Sequence, residues 1–325
     1  MKRTITYHIE EPPLTLGRPS TANEFLRSHG YSRHLMTYLR HHDSTLLLNG
    51  QPVFTNHPLH AGDVLTAIFT DEPSEEEDAH IIPNHMDLHI VYEDEDILLV
   101  NKPPCLPVQP SLGHREYTLG NGIAAYYEEQ GIPFIYRCVN RIDKNTSGLV
   151  LIAKNMASSA ILYDAMKKRQ IHRTYVTVVH GKIEDSFRVG DDLDDATLWP
   201  DFPGIISLPI ARVPGSTIER EINAEKGKRA VTHFHVLKYD AEKDVTALKV
   251  KLETGRTHQI RVHMKAAGHP VVGDGMYGYE HDLIDRQALH SRELMFCHPV
   301  TQKPMSFTCP VPDDIRSVID FDEIL

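Results

Sequence analysis

The sequence predicts an α+β fold: a mixed, mainly antiparallel β-sheet domain preceded by a small α/β unit. Three observations predict it. Strand-like segments dominate the later part of the chain, and only some are separated by helical patterns, which argues against a doubly wound parallel sheet. Between Asp71 and Asn84, acids, Pro73 and Pro83 interrupt all hydrophobic periodicity, so this stretch reads as a linker. The length, 325 residues, is enough for two domains, one with a sizeable core. The expected division is therefore a small unit at 1–70, an acidic linker at 71–87, a main domain at 88–311 and an acidic tail at 312–325. An acidic, irregular and exposed insertion is expected at about 184–203, within the main domain.

Each element follows from its pattern. In "TANEFLRSHG", Phe25 and Leu26 share a helical face and Gly30 stops it. "SRHLMTYLRHH" starts with an N-cap at Ser32 and carries a stripe of Leu35, Met36 and Leu39, with Arg33 and Arg40 on another common face. "TLLLNGQPV" is strand, Asn49-Gly50 turn and strand. "LHAGDVLTAIF" adds a turn and a strand. After the linker, "LHIVYEDEDILLVNKP" reads as strand, acidic turn, strand. "ASSAILYDAMKKRQ" is an amphipathic helix, and "RTYVTVVHG", "AVTHFHVLKYD" and "VTALKVKLETG" are strands with partial alternation. "RTHQIRVHMKAAG" is a short helix closed by Gly268.

Composition narrows the function classes. No apolar run approaches the ~18 residues of a membrane span, and the start lacks the apolar region of a secretory signal. Cys105, Cys138, Cys297 and Cys309 lie far apart without C-x-x-C spacing, so free thiols in a cytoplasmic setting are expected. The formal net charge of −11 argues mildly against a nucleic-acid partner, yet the acids are bunched in "DEPSEEED", "GDDLDD" and "DFDEIL", which read as solvated linker, loop and tail. Arginines and lysines remain in the segments between, where a local basic cleft can form.

The chemistry-bearing stretch is "VNRIDKNTSGLVLIAKN". Asp143 lies in a turn at the mouth of an apolar strand. A lone turn aspartate is ordinarily a turn-former or cap, but a Thr-Ser-Gly turn into a buried strand is also a rigid mount for a nucleophile or base. In "LETGRTHQIRVHM", Arg256 sits between strand and helix. It is either a surface arginine or the partner that keeps a buried carboxylate ionised. Tyr175 in "HRTYVTVVHG" is either a core tyrosine or part of the same site. His258, His263 and His269 do not share a helical face and H-E-x-x-H is absent, so no metal site is expected. The G-x-S-x-G elbow and the phosphate loop are also missing.

These stretches, in this order, resemble the RluA-type RNA pseudouridine synthases. The family's R-[LI]-D-x-x-[TS]-S-G-[LIV] motif stands here as "RIDKNTSGLV", its [KR]-x-Y strand as "HRTYV", and its L-x-T-G-R-x-H-Q-I-R motif as "LETGRTHQIRVH". Further matches are "VYEDEDILLVNKPPCLPVQPS", "GKRAVTHFHV", "GHPVVGDGMYG" and "LMFCHPVTQKP", so the resemblance runs from Leu88 to Pro310. From Thr15 to Phe69 the chain is similar to an RNA-binding domain first described in a small-subunit ribosomal protein, with histidines where lysines or arginines are more usual. Asn140 stands where many members have histidine.

The resemblance implies a pseudouridine synthase fold and isomerisation of uridine in structured ribosomal or transfer RNA, without a cofactor. It implies Asp143 as nucleophile, Tyr175 stacked on the flipped uracil and Arg256 as the ion-pair partner. The family's arginine before the aspartate fills the space the base leaves, a role the resemblance gives to Arg141; side chains two apart on an extended segment point the same way, so both can reach one cleft. Thr146, His258, Gln259, Ile260 and Arg261 are implied substrate-binding residues. A cytoplasmic monomer is expected. An inactive RNA-binding protein of the same fold is the alternative, disfavoured by the intact Asp143, Tyr175 and Arg256.

Overall fold

The computed structural model describes residues 2–11, 14–15, 18–71, 81–111, 113, 115–190, 193, 199–279 and 283–321. Most of the acidic runs within 72–80 and 191–198, and residues 322–325, lie outside the described residues.

The small unit is a four-stranded antiparallel sheet of Lys2–His8, Val64–Thr70, Leu46–Leu48 and Gln51–Pro52, in that order, with helices Ala22–Ser28 and Arg33–His41. Thr21 and Glu24 form a capping box on the first helix, and the Ser32 hydroxyl accepts the Leu35 N–H on the second. Asn49 and Gly50 both have positive φ, +52° and +80°, as a tight hairpin turn requires. Strand Lys2–His8 was not expected. Only Ile5 is buried in it, so its apolar signal is too sparse to read.

This unit is not an independent bead on a linker. Its core includes Ala157 and Ile161 from helix Met156–Lys167 of the main domain. Arg3 bridges to Glu95 and Asp96, and Arg137 to Asp71. Asp71 is thus a correction to the solvated linker: it is 8% exposed and also accepts the Met156 N–H.

The main sheet runs Arg188–Gly190, Gly204–Ser207, Val231–Asp240, Val245–Leu252, His172–His180, Leu289–Cys297, Ser147–Ala153, Ile97–Lys102, Ile90–Glu93, with Pro304–Thr308 and Arg137–Cys138 pairing off this path. It is mixed and mainly antiparallel. The parallel pairs are Ser147–Ala153 with Leu289–Cys297 and Arg188–Gly190 with Gly204–Ser207. Strand Ser147–Ala153 is buried at every position, which is why its sequence is an unbroken apolar run. Helix Leu119–Glu129 is a further unexpected element. Gly120 and Gly122 hide its helical propensity, yet a Cβ at Gly122 would lie 2.5 Å from Met86 Cγ, so packing demands the glycine.

Two acidic segments are more structured than expected. Within the insertion, Arg188–Gly190 is an edge strand, and Trp199 packs against His233 (ring centroids 4.4 Å apart) under the Lys251 ammonium. In the tail, helix Asp313–Arg316 is followed by Val318, Ile319 and Phe321, which with Ile315 are buried against Val176, Val178, Val245 and Ala247. Apolar residues spaced among the acids, not the acids themselves, decide both segments. No helix among the described residues is long and apolar enough to cross a membrane.

Candidate active site

Strand Ser147–Ala153 is the mount, and the loop before it carries Asp143. Buried side chains hold that loop by its backbone. The Thr146 N–H bonds the Asp143 carbonyl at 3.1 Å. Lys102 Nζ donates to the carbonyls of Pro103 (2.7 Å) and Lys144 (3.0 Å). Arg286 Nη1 donates to the Asn145 carbonyl at 3.1 Å, while its Nε and Nη2 grip Asp314. Ser147 Oγ bonds His290 Nδ1 at 2.8 Å. Gly148 has φ +114°, and a Cβ there would sit 2.2 Å from the Ser291 carbonyl oxygen, so only glycine lets the two parallel strands meet at this point. Lys102 is fully buried. Burial pushes it down to about 7, Arg286 adds to this, and Asp143 opposes it.

Asn140 is also structural. Its side chain donates to the Leu149 carbonyl and accepts the Leu151 N–H, pinning the loop to the strand that follows. From Arg141 to Asp143 the burial alternates: Arg141 is exposed, Ile142 buried, and the Asp143 side chain 22% exposed. Arg141 and Asp143 therefore both reach the open side, and among the described residues no hydrogen bond ties Arg141 down.

The second wall comes from the turn after Val245–Leu252 and helix Gln259–Ala266. Here the arginine assignment needs correction. Arg256 is exposed, and its Nε donates to the Arg229 carbonyl. Asp143 is instead met by Arg261, whose Nη1 lies 3.1 Å from Oδ2. The reason is local: His258 takes a left-handed conformation (φ +57°), which turns the chain so that the first helical turn faces the aspartate. Arg256 precedes that reversal and points away.

Arg261 is fixed on its other side. Its Nε and Nη2 donate to Asp274 at 2.7 and 2.8 Å, and its guanidinium lies 5.0 Å from the Tyr277 ring centroid. Burial works against its charge, but Asp274 and Asp143 outweigh it and raise the guanidinium further. His258 Nε2 lies 3.9 Å from Asp143 Oδ1, and its Nδ1 is 2.9 Å from the Tyr277 hydroxyl. Burial lowers the His258 imidazole.

Three implied substrate-binding residues are occupied elsewhere. Gln259 is 2% exposed; its amide nitrogen donates to the Val231 carbonyl and Thr232, and its oxygen accepts from Thr254 and the Arg256 N–H. Thr146 is 1% exposed and accepts from Gln287. Ile260 belongs to the main core. Tyr175 is buried in strand His172–His180, next to a register shift against Leu289–Cys297, an irregularity that can re-aim a side chain. Burial raises its hydroxyl; Arg173 and Ser291 oppose this and Asp143 adds to it.

Sequence reasoning missed Asp274, Tyr277, Lys102 and Arg286. Asp274 stands between Gly273 and Gly275 in "VGDGMYG", where an aspartate looks like an ordinary turn-former. Lys102 ends an apolar strand, where a lysine usually marks the exit to solvent. Concavities lie elsewhere among the described residues. One of about 570 Å³ lies at the seam with the small unit, between Tyr38, His42, Arg137 and Tyr163. One of about 310 Å³ lies behind the loop, with Lys102 and Ser147 on its wall. Neither is lined by Asp143.

Comparison with known proteins gives the family. Residues 96–266 match the family model of RNA pseudouridylate synthase. The chain is 38% identical over 299 residues to the uncharacterized RNA pseudouridine synthase YjbO of Bacillus subtilis (strain 168), covering 92% of this chain and 98% of that one. It is 34% identical over 259 residues to ribosomal large subunit pseudouridine synthase D of Escherichia coli (strain K12), covering 75% and 73%. Among solved structures it is similar to human RNA Pseudouridylate Synthase Domain Containing 1, with TM-score 0.54, 27% identity, and 74% and 86% of the two chains covered. The chain belongs to the RNA pseudouridylate synthase family, isomerases that convert uridine to pseudouridine within RNA.

Proposed function

We propose that this synthase acts on ribosomal RNA, with Asp143 as nucleophile, Arg261 as its ion-pair partner and Arg141 entering the stack as the target base leaves. The observation that carries the reading is the Asp143 carboxylate: partly exposed, on a braced loop, and touched by one guanidinium. A relative named as a ribosomal large subunit synthase supports the choice of ribosomal over transfer RNA. The target uracil must leave the helical stack before the chemistry, at a cost of a few kcal/mol. Asp143 bonds to the sugar as the bond to uracil breaks and leaves its electron pair on the ring; the ring turns, carbon 5 displaces Asp143 from the sugar, and the proton on carbon 5 passes to water while N1 takes one up. Tyr175, facing the core side of the site, contacts the uracil ring. The small unit adds RNA contacts through the Arg33 and Arg40 face, and the protein works as a cytoplasmic monomer.

The test is tritium release from large-subunit ribosomal RNA carrying uracil tritiated at carbon 5, beside a transfer RNA pool labelled in the same way. Wild type should release tritium from the ribosomal RNA and Asp143→Asn should not. Release by both proteins would remove Asp143 from its role. Release from transfer RNA alone would correct the substrate.

A further inference from the structure

We propose that the turn from Asp274 to Tyr277 is the positioning element of this site: Asp274 holds Arg261 toward Asp143, and Tyr277 fixes the ring of His258 so that its Nε2–H faces Asp143. The proposal rests on the reading of Asp143 as nucleophile and names residues to which neither the motifs nor the relatives assign a role.

Asp274 is 1% exposed and its carboxylate is saturated. Arg261 supplies Nε and Nη2, and the backbone N–H groups of Met276 and Tyr277 donate to Oδ1 at 3.1 and 3.2 Å. Four donors on a buried carboxylate fill its acceptor sites and fix its orientation. The side of the guanidinium that Asp274 grips leaves only Nη1 to reach Asp143. The planar fork makes this directional: with two of its nitrogens fixed, the third has one place to point. Asp274 also balances the arginine's charge, so Asp143 meets a guanidinium that is already paired.

The second half concerns a tautomer. The Tyr277 hydroxyl oxygen accepts the Arg220 N–H at 2.8 Å, which leaves its O–H free to donate to His258 Nδ1 at 2.9 Å. A neutral imidazole that accepts at Nδ1 carries its hydrogen on Nε2. That hydrogen faces Asp143 Oδ1, 3.9 Å away, where a bare lone pair would face a carboxylate unfavourably. The left-handed backbone at His258 is the strain that this aim costs. When the bond from uracil to the sugar breaks, its electron pair goes to the ring and spreads to the carbonyl oxygens. A fixed N–H beside Asp143 is a donor for that charge, which is where preorganised donors act most strongly.

The decisive variant is Tyr277→Phe, which keeps the ring against Arg261 and removes only the hydroxyl. In the tritium-release assay its kcat should fall about ten- to a hundredfold, with KM for ribosomal RNA within about twofold. In ¹⁵N-histidine spectra of the whole protein, with the resonance identified by His258→Gln, His258 should lose its fixed Nε2–H signature and become an average of tautomers. Asp274→Asn should lower kcat at least as much, again with KM nearly unmoved. A purely structural turn would lower thermal stability in both variants and leave kcat and the His258 signature as in wild type, which would overturn the proposal. Wild-type protein that releases no tritium would instead break the functional reading, and the spectra would still decide the tautomer.

Discussion

Two places in this molecule bring together aspartate, histidine and arginine. At the seam, Asp96 accepts two hydrogen bonds from Arg3 and one each from Asn155 and Ser158. Its neighbour Asp94 accepts from Tyr92, His298 and the N–H groups of Asp96 and Ile97. At the mouth of strand Ser147–Ala153, Asp143 accepts a single hydrogen bond among the described residues, from Arg261. A carboxylate has room for about four. The difference separates a joint from a reagent. Asp94, Asp96 and His298 are close enough to suggest a metal cage, but their oxygens are already spent on the protein. Burial works against the Asp94 charge, and bonds from His298 and the backbone nonetheless hold it well below the usual carboxylate range. Asp143 keeps its remaining capacity for a substrate.

The largest effect that sharpens this contrast is at the open carboxylate. Asp143→Asn should reduce tritium release by at least about 10⁴-fold, the scale at which a nucleophile's loss is felt, with the melting temperature within a few degrees of wild type. Arg261→Gln should cost about 10²- to 10³-fold in kcat, whereas Arg256→Gln should change it less than about threefold. A reversed order in those two rates would restore the arginine assignment drawn from the sequence. At the seam the expectation inverts. Asp96→Ala should cost about 1–3 kcal/mol in a denaturant titration, because it takes the acceptor from the buried Asn155 and Ser158 donors and leaves Arg3 only Glu95. Its kcat at low temperature should stay within about threefold of wild type.

A smaller effect appears in the pH dependence of stability. Burial holds Lys102 at about 7 in the folded protein, against 10.5 as a free side chain. Between those values the unfolded chain binds more protons than the folded one, so this lysine makes stability rise with pH across that window, by up to about 1.4 kcal/mol per unit. Lys102→Met should flatten the rise, measured by urea titration from pH 7 to 10. His263 and His290, each pushed down to about 4 by burial, act in the acid range. Their contribution is present above about 6.5 and lost as pH falls toward 4.

The sequence made some of this legible and hid the rest for physical reasons. Ser32, Thr21 and Asn49-Gly50 act through their nearest neighbours, so the caps and the hairpin they form can be read locally. Asp143 was legible because its mount is contiguous with it. The sequence pattern marks Arg261 only as a substrate contact, because the left-handed turn at His258, which decides which arginine faces inward, leaves no mark in the residue pattern. Asp274 meets Arg261 from thirteen positions away through folding alone. The tail looked solvated because acids are interspersed along its whole length, while Ile315, Val318 and Ile319 recur at helical spacing and settle on the sheet.

One brace has a consequence for the order in which the enzyme is made. Arg286 supports the Asn145 carbonyl while Asp314 holds Arg286 in place. The Asp143 loop thus leans on residues synthesised long after it. A nascent chain that has already exposed Asp143 lacks the strut until helix Asp313–Arg316 has emerged. Competence then arrives late, as a final step of assembly, and an unfinished chain that meets RNA carries the aspartate without its rigid seat.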